Sequence, residues 1–344
     1  MRSTLQYFSW AFGFTAVGLA LAMWLGFTYE HTTHGALSFF FVACVLAVLE
    51  ISLSFDNAII NANKLGQMTP EWQRRFLTWG ILIAVFGMRI LFPLLIVVVA
   101  AGIGPIEALR IAATQPAEYS RIIGEAHMSI AAFGGAFLMM VALSYFVDES
   151  KEVHWFVALE RRLSSWASIR GIEVGFLLAI VLAVAWWLPV KTEGTFLVAA
   201  CTGLLTFLAV EGLGQVLDKA SLSGDVAKGG LGAFLYLEVL DASFSFDGVI
   251  GAFALTQNLF LIAIGLGIGA FYVRSMTVML VERQALSEFR YLEHGAFWSI
   301  LVLSVAMFAQ TLMHVPEWAT GLLGVVFIGL SLMSSLRWRR SNPA

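Results

Sequence analysis

The residues with most chemical potential are acidic side chains set inside apolar runs. One run carries Glu50-Ile-Ser52-Leu-Ser54-Phe55-Asp56-Asn57-Ala-Ile59, and a second carries Asp241-Ala-Ser243-Phe-Ser245-Phe246-Asp247-Gly248-Val-Ile250. The shared pattern is acidic-x-Ser-apolar-Ser-Phe-Asp, with identical spacing. An ionisable group at mid-bilayer costs about 2.5–3.5 kcal/mol on insertion scales, so such residues mark a functional site by default. Their donors are carboxylate, amide, hydroxyl and carbonyl oxygens, with no Cys or His in either motif. Oxygen sets suit hard cations such as Mn²⁺, Ca²⁺ or Mg²⁺. The candidate ligands are Asp56, Asn57 and Asp247, followed by Glu50, Asp241, Ser54 and Ser245.

Two arginines accompany the motifs. Gly80 is followed nine residues later by Arg89, and Gly265 nine residues later by Arg274. Either can serve as a counter-ion to the carboxylates, as a static support or as a gate that takes their charge when a cation leaves. At about 100° per residue, Glu50, Ser54, Asn57 and Asn61 form one polar stripe, and Ser52, Asp56 and Asn63 another on nearly the opposite face. An unwound turn around Ser54–Asn57 would bring Glu50 and Asp56 toward one point, and Gly248 allows the same in the second copy.

The elements that must position these residues are membrane helices. The chain has 344 residues, 59% hydrophobic and 12% charged, with a mean hydropathy of +0.84. A soluble domain carries about 25% charged residues. Ten apolar segments approach or exceed the roughly 17 residues that span a bilayer: 8–27, 37–61, 76–101, 127–147, 172–188, 195–217, 231–255, 259–280, 296–313 and 318–336. The first reads as a retained helix rather than a cleaved signal. Continuous rather than alternating apolarity excludes a β-barrel. Net charge −3 without a basic block excludes nucleic acid as a partner, and Cys44 and Cys201 form no metal or redox motif. Fifteen of the 20 Lys and Arg fall on the side of the N-terminus, which predicts that both termini are cytoplasmic. The longest loop on that side, 148–171, contains an amphipathic stretch, Val153–Leu163, expected to lie on the membrane.

The repeated motifs divide the chain into 1–189 and 190–344, two five-helix repeats within one membrane domain. Five helices per repeat oblige the second copy to enter from the opposite side, the inverted topology of many secondary transporters. The predicted fold is all-α and polytopic.

Phe55-Asp56-Asn57-Ala58, the Gly80…Arg89 helix, Gly135-Ala136-Phe137-Leu138 and Tyr291-Leu292-Glu293-His294-Gly295 resemble the TerC-like integral membrane proteins. Glu50-x-Ser-Leu-Ser-Phe-Asp-Asn-Ala with Asn61-Ala62 is most similar to their relatives known as domain of unknown function 475. The likeness spans roughly residues 37 to 336. It implies a bacterial inner-membrane protein of the wider lysine-exporter superfamily. TerC-like members are associated with manganese efflux, metal supply to exported enzymes and tellurium resistance. Their acidic motif falls here on Asp56 and Asn57, and on Asp247 in the second copy, where Gly248 replaces the Asn.

The expected function is export of a divalent cation, foremost Mn²⁺, by a non-enzymatic transporter without a resident cofactor. Its partners are the metal ion and the bilayer, with a homo-oligomer left open. Alternatives are a transporter of Ca²⁺ or of an oxyanion, and a membrane scaffold in a metal or tellurite stress complex that acts through the 148–171 loop.

Overall fold

Inside a bilayer every backbone N–H and C=O must find a partner within the chain, and long apolar segments meet that demand as helices. The computed structural model describes residues 4–341, apart from 67, 81–82, 84–86, 88–90, 92–93, 96, 99–101, 149–150, 152, 167, 170, 221–231, 242–251, 253–254, 257, 284–288, 314 and 316. Within the helices, side chains are not described at 52–53, 116, 120, 214–220 and 317–321.

The described residues form helices α1 (Thr4–Tyr7), α2 (Ser9–Glu30), α3 (Thr33–Leu53), α4 (Phe55–Gly66) and α5 (Pro70–Arg75), the last running into a π-helical turn at Phe76–Gly80. Then come α6 (Pro105–Thr114), α7 (Pro116–Val147), α8 (Val157–Ser164), α9 (Ile172–Trp187), α10 (Val190–Ala220) and α11 (232–241). The chain ends with α12 (Leu259–Glu282), α13 (Leu292–Gln310) and α14 (Glu317–Ser341).

Among the described residues, seven helical stretches are long and apolar enough to cross a membrane, in α2, α3, α7, α10, α12, α13 and α14. A shorter apolar helix of 16 residues is α9. The remaining expected segments, 76–101 and 231–255, fall largely outside the described residues, with helical turns at 76–80 and 232–241. The chain is an α-helical, multi-pass membrane protein.

Burial is arranged to match a lipid solvent. Helices α7, α12 and α13 are mostly buried, whereas α2, α3, α10 and α14 present exposed apolar side chains such as Phe41, Val48, Val198, Leu205 and Leu322. The α9–α10 connection at Leu188–Pro189 places exposed Trp186 and Trp187 at one helix end, a position that interfacial aromatics favour. Small residues let the helices approach. A Cβ on Gly203 of α10 would overlap the Phe133 carbonyl of α7, and one on Gly295 of α13 would overlap Ser331 of α14.

The tight α2–α3 hairpin follows from its caps. His31 ends α2 in the left-handed region at φ 53°, and the Thr32 hydroxyl accepts the Gly35 N–H at 3.0 Å to start α3. The second motif's helix, α11, packs on the 70–80 segment, where Phe234 meets Trp72 and Phe76. The first motif's helices, α3 and α4, pack on α12.

Candidate functional site

The first motif sits where one helix ends and another begins. α3 stops at Leu53, Ser54 leaves the helical region at φ −102°, ψ 15°, and α4 starts at Phe55. The break is a single residue. The Ser54 N–H still reaches Glu50 O at 2.9 Å, and the Ala58 N–H reaches Ser54 O at 3.2 Å. This corrects the expectation of an unwound Ser54–Asn57 turn, because Phe55, Asp56 and Asn57 are already helical. Asp56 lies in the first turn of α4, where the helix dipole favours a carboxylate.

The two polar stripes stay apart, each buried against its own partners. On one face, the Ser54 hydroxyl donates to Glu50 Oε1 at 2.8 Å, and the Glu50 side chain packs against Gly269 of α12. Farther along that face, Asn61 Nδ2 donates to Asp241 Oδ1 of α11 at 3.0 Å. On the other face, Ser299 of α13 donates to Asp56 Oδ2 at 2.8 Å, and Asn63 Nδ2 donates to Glu293 Oε1 of α13 at 2.6 Å. Asp56 Oδ1 also accepts the Asn57 N–H at 2.9 Å. The structure therefore joins Asn61 with Asp241 across the two motifs, and does not bring Glu50 and Asp56 to one point.

The first face is rich in oxygen and poor in donors. Asn57 Oδ1, Asn61 Oδ1 and both Glu238 carboxylate oxygens are buried and accept no hydrogen bond among the described residues. Glu50, Asp56, Asn57, Asn61, Glu238 and Asp241 all expose 8% or less of their surface. Glu238 precedes Asp241 by one turn of α11 and lies against Gly80. Burying an acceptor with no donor costs about 1–3 kcal/mol, so a set of them is a strong bias toward a ligand that brings positive charge. Glu238 was missing from the expected set. Its signal was a carboxylate in an apolar run, three residues ahead of one already chosen.

Other expected residues are placed differently. Asp247, Ser245 and Arg89 lie outside the described residues. Arg274 is not a counter-ion to the motif carboxylates among the described residues. Its Nε and Nη2 both donate to the Leu77 carbonyl, at 3.1 and 2.9 Å. Among the described residues no group of three His, Cys, Asp or Glu side chains is arranged to hold a metal ion.

A further buried carboxylate lies outside both motifs. The amphipathic stretch forms α8, with Phe156, Val157 and Leu159 exposed as an apolar strip, but Glu160 is fully buried. Glu160 Oε1 accepts Trp298 Nε1 at 3.0 Å and the Phe156 N–H at 3.2 Å. Its Oε2 accepts His294 Nδ1 at 3.0 Å and the Trp155 N–H at 3.2 Å, and pairs with Lys151 Nζ at 3.2 Å. The Lys151 ammonium also lies 4.0 Å from the centroid of the Tyr145 ring. Burial opposes ionisation of Glu160, but the His294 and Trp298 hydrogen bonds, with the charge of Lys151, outweigh it and hold the carboxyl well below the usual range. Burial pulls the Lys151 ammonium the other way, below its ordinary value, against the pull of Glu160.

A multi-pass helical protein with a carboxylate- and amide-lined interior is thereby defined. Residues 55–342 match the family described as "Protein of unknown function (DUF475)", and the chain belongs to that family. No curated protein and no solved structure matches it.

Proposed function

We propose that this protein is a secondary transporter that exports a divalent metal cation, with Mn²⁺ as the first candidate. The observation that carries the reading is the set of buried oxygens without donors among the described residues of α4 and α11: Asn57, Asn61 and Glu238, beside Asp241. Buried amide and carboxylate oxygens complement a hard cation. Glu50, Ser54 and Asp56 flank this set, and Asp247 and Ser245 are the second copy's contribution by sequence. Preference for Mn²⁺ and for the export direction rests on kinship with TerC-like proteins of the lysine-exporter superfamily.

The architecture proposed is ten transmembrane helices in two inverted repeats, in a bacterial inner membrane with both termini cytoplasmic. Reciprocal packing supports it. The first motif's Glu50 lies against Gly269 of α12, and the second motif's helix carries Glu238 against Gly80, in the corresponding segment of the first half. Two-fold pseudosymmetry requires such a swap. The break at Ser54 supports the same reading, since interrupted helices at mid-membrane build cation sites in inverted-repeat transporters.

The test is cellular Mn²⁺ in cells lacking their own exporters, with wild type, Asp56→Asn or Asp241→Asn at equal membrane levels. Wild type should lower cellular Mn²⁺ and both variants should lose at least about tenfold of the efflux rate, the order expected for removing a charged ligand worth 1.4 kcal/mol or more. Equal Mn²⁺ in all strains and the empty control would overturn Mn²⁺ export.

A further inference from the structure

Arg274 is half-buried in α12, eight residues before its end at Glu282. A cation drawn out of water is ordinarily paired with an anion. Here its only partner among the described residues is the Leu77 carbonyl, a dipole that takes Nε and Nη2. Arginine has five N–H donors in a rigid fork, so donors remain. They border a cavity of about 280 Å³, lined also by Gln6, Tyr7, Ser9, Trp10 and Ser275.

The polar groups around this cavity favour negative charge. The Ser275 hydroxyl is 1% exposed and makes no hydrogen bond among the described residues, a buried donor left unused there. Among the lining residues, the Tyr7 hydroxyl donates to Glu282 Oε2 at 2.9 Å. Ser9 and Trp10, in the first turn of the 22-residue α2, line the wall, and no side chain caps that helix start. Its unsatisfied N–H groups put partial positive charge there. Among the described residues, a guanidinium with no carboxylate partner, an idle hydroxyl and a helix start without a side-chain cap are three independent features that call for one anion.

We infer that this cavity binds a phosphate group. The cavity is slightly smaller than the roughly 300–1,000 Å³ of small-molecule sites, the size of a headgroup rather than a whole lipid. Arg274 lies about 12 Å from the helix end at 1.5 Å per residue. The Lys and Arg count predicts that this end lies on the cytoplasmic face, and Trp10 is exposed as interfacial tryptophans are. A phospholipid headgroup and a free phosphate ion share the chemistry that Arg274 and Ser275 would recognise. The inference is independent of the cation reading.

The test is native mass spectrometry of the full chain in neutral detergent, titrated separately with phosphatidylglycerol and with inorganic phosphate. Arg274→Met removes the charge. Ser275→Val removes the idle hydroxyl and adds an apolar branch at the cavity wall while leaving the Arg274–Leu77 contact, so loss of the site is separated from loss of the fold. One phosphatidylglycerol bound at least tenfold more tightly by wild type than by either variant supports a lipid-filled site. The same dependence with inorganic phosphate alone supports the site with a soluble source. Binding of both probes that is equal in all three proteins overturns the inference, as does weakening in Arg274→Met with Ser275→Val unchanged.

Discussion

Replacing Glu160 by alanine is expected to release the 151–164 segment from the membrane domain. Glu160 accepts hydrogen bonds from Trp155 N, Phe156 N, His294 Nδ1 and Trp298 Nε1, and its charge balances Lys151. Removing one member of a buried ion pair costs about 3–5 kcal/mol, much of it from the partner left unpaired. At 1.4 kcal/mol per tenfold, the ratio of docked to released segment falls by about 10²–10⁴. The Trp155 and Phe156 amides lose their acceptors, so hydrogen exchange followed by mass spectrometry in detergent reads the change directly. Their exchange should accelerate by at least about a hundredfold, while amides in α12 and α13 keep their rates. Adding Lys151→Met removes the stranded cation, and the double variant should dock better than Glu160→Ala alone. Exchange at Trp155 and Phe156 within about threefold of wild type in Glu160→Ala would refute the reasoning, because the carboxylate would then not be what holds the segment.

The same segment should respond to acid in one direction. The Glu160 carboxyl is held below its ordinary value, so its stabilisation is complete above the unfolded value of about 4.3 and is lost as pH falls through the lower folded value. Exchange protection at Trp155 should be level from pH 7 to about 5 and weaken only below about 4; a loss centred near pH 6 would contradict it. Gly203→Ala should lower the melting temperature in detergent, since its Cβ would overlap the Phe133 carbonyl and a backbone atom cannot rotate aside. Overpacking of this kind costs about 1–3 kcal/mol. Gly194→Ala in the same helix meets nothing within 4 Å and should melt no lower than wild type, so identical melting of the two variants would count against the steric argument.

Local spacing foretold the features that depend on local geometry. Hydropathy outlined the described spans, the 100° period sorted the residues of α3 and α4 into two stripes, and Ser54 was within the segment expected to break. What spacing could not convey is which helix each stripe would meet. Asp56 and Asn63 find Ser299 and Glu293 on α13, more than two hundred residues away in sequence, whereas Asn61 finds Asp241 on α11. With Asp56, Asn61 and Asn63 each held by a distant partner, the helix breaks at Ser54 alone rather than unwinding over a turn. Glu160 illustrates the same limit. Its position on the polar side of an amphipathic helix predicts water, and only the arrival of His294 and Trp298 makes it interior. Arg274 has a backbone carbonyl as its partner, which no pattern of side-chain types can announce.

Helix α13 carries His294 and Trp298, which hold Glu160 of α8, and Ser299, which holds Asp56 of α4. These contacts lie within six consecutive residues, about a turn and a half of helix. A slide of α13 by one turn, about 5.4 Å, would break the Glu160 and Asp56 contacts together. Helices α4, α8 and α13 therefore behave as a single chassis. In the proposed transport cycle, rocking that alternates access would occur around that chassis. A cross-link between α4 and α13 should consequently leave turnover intact, whereas one that ties this chassis to a moving helix should stop the cycle.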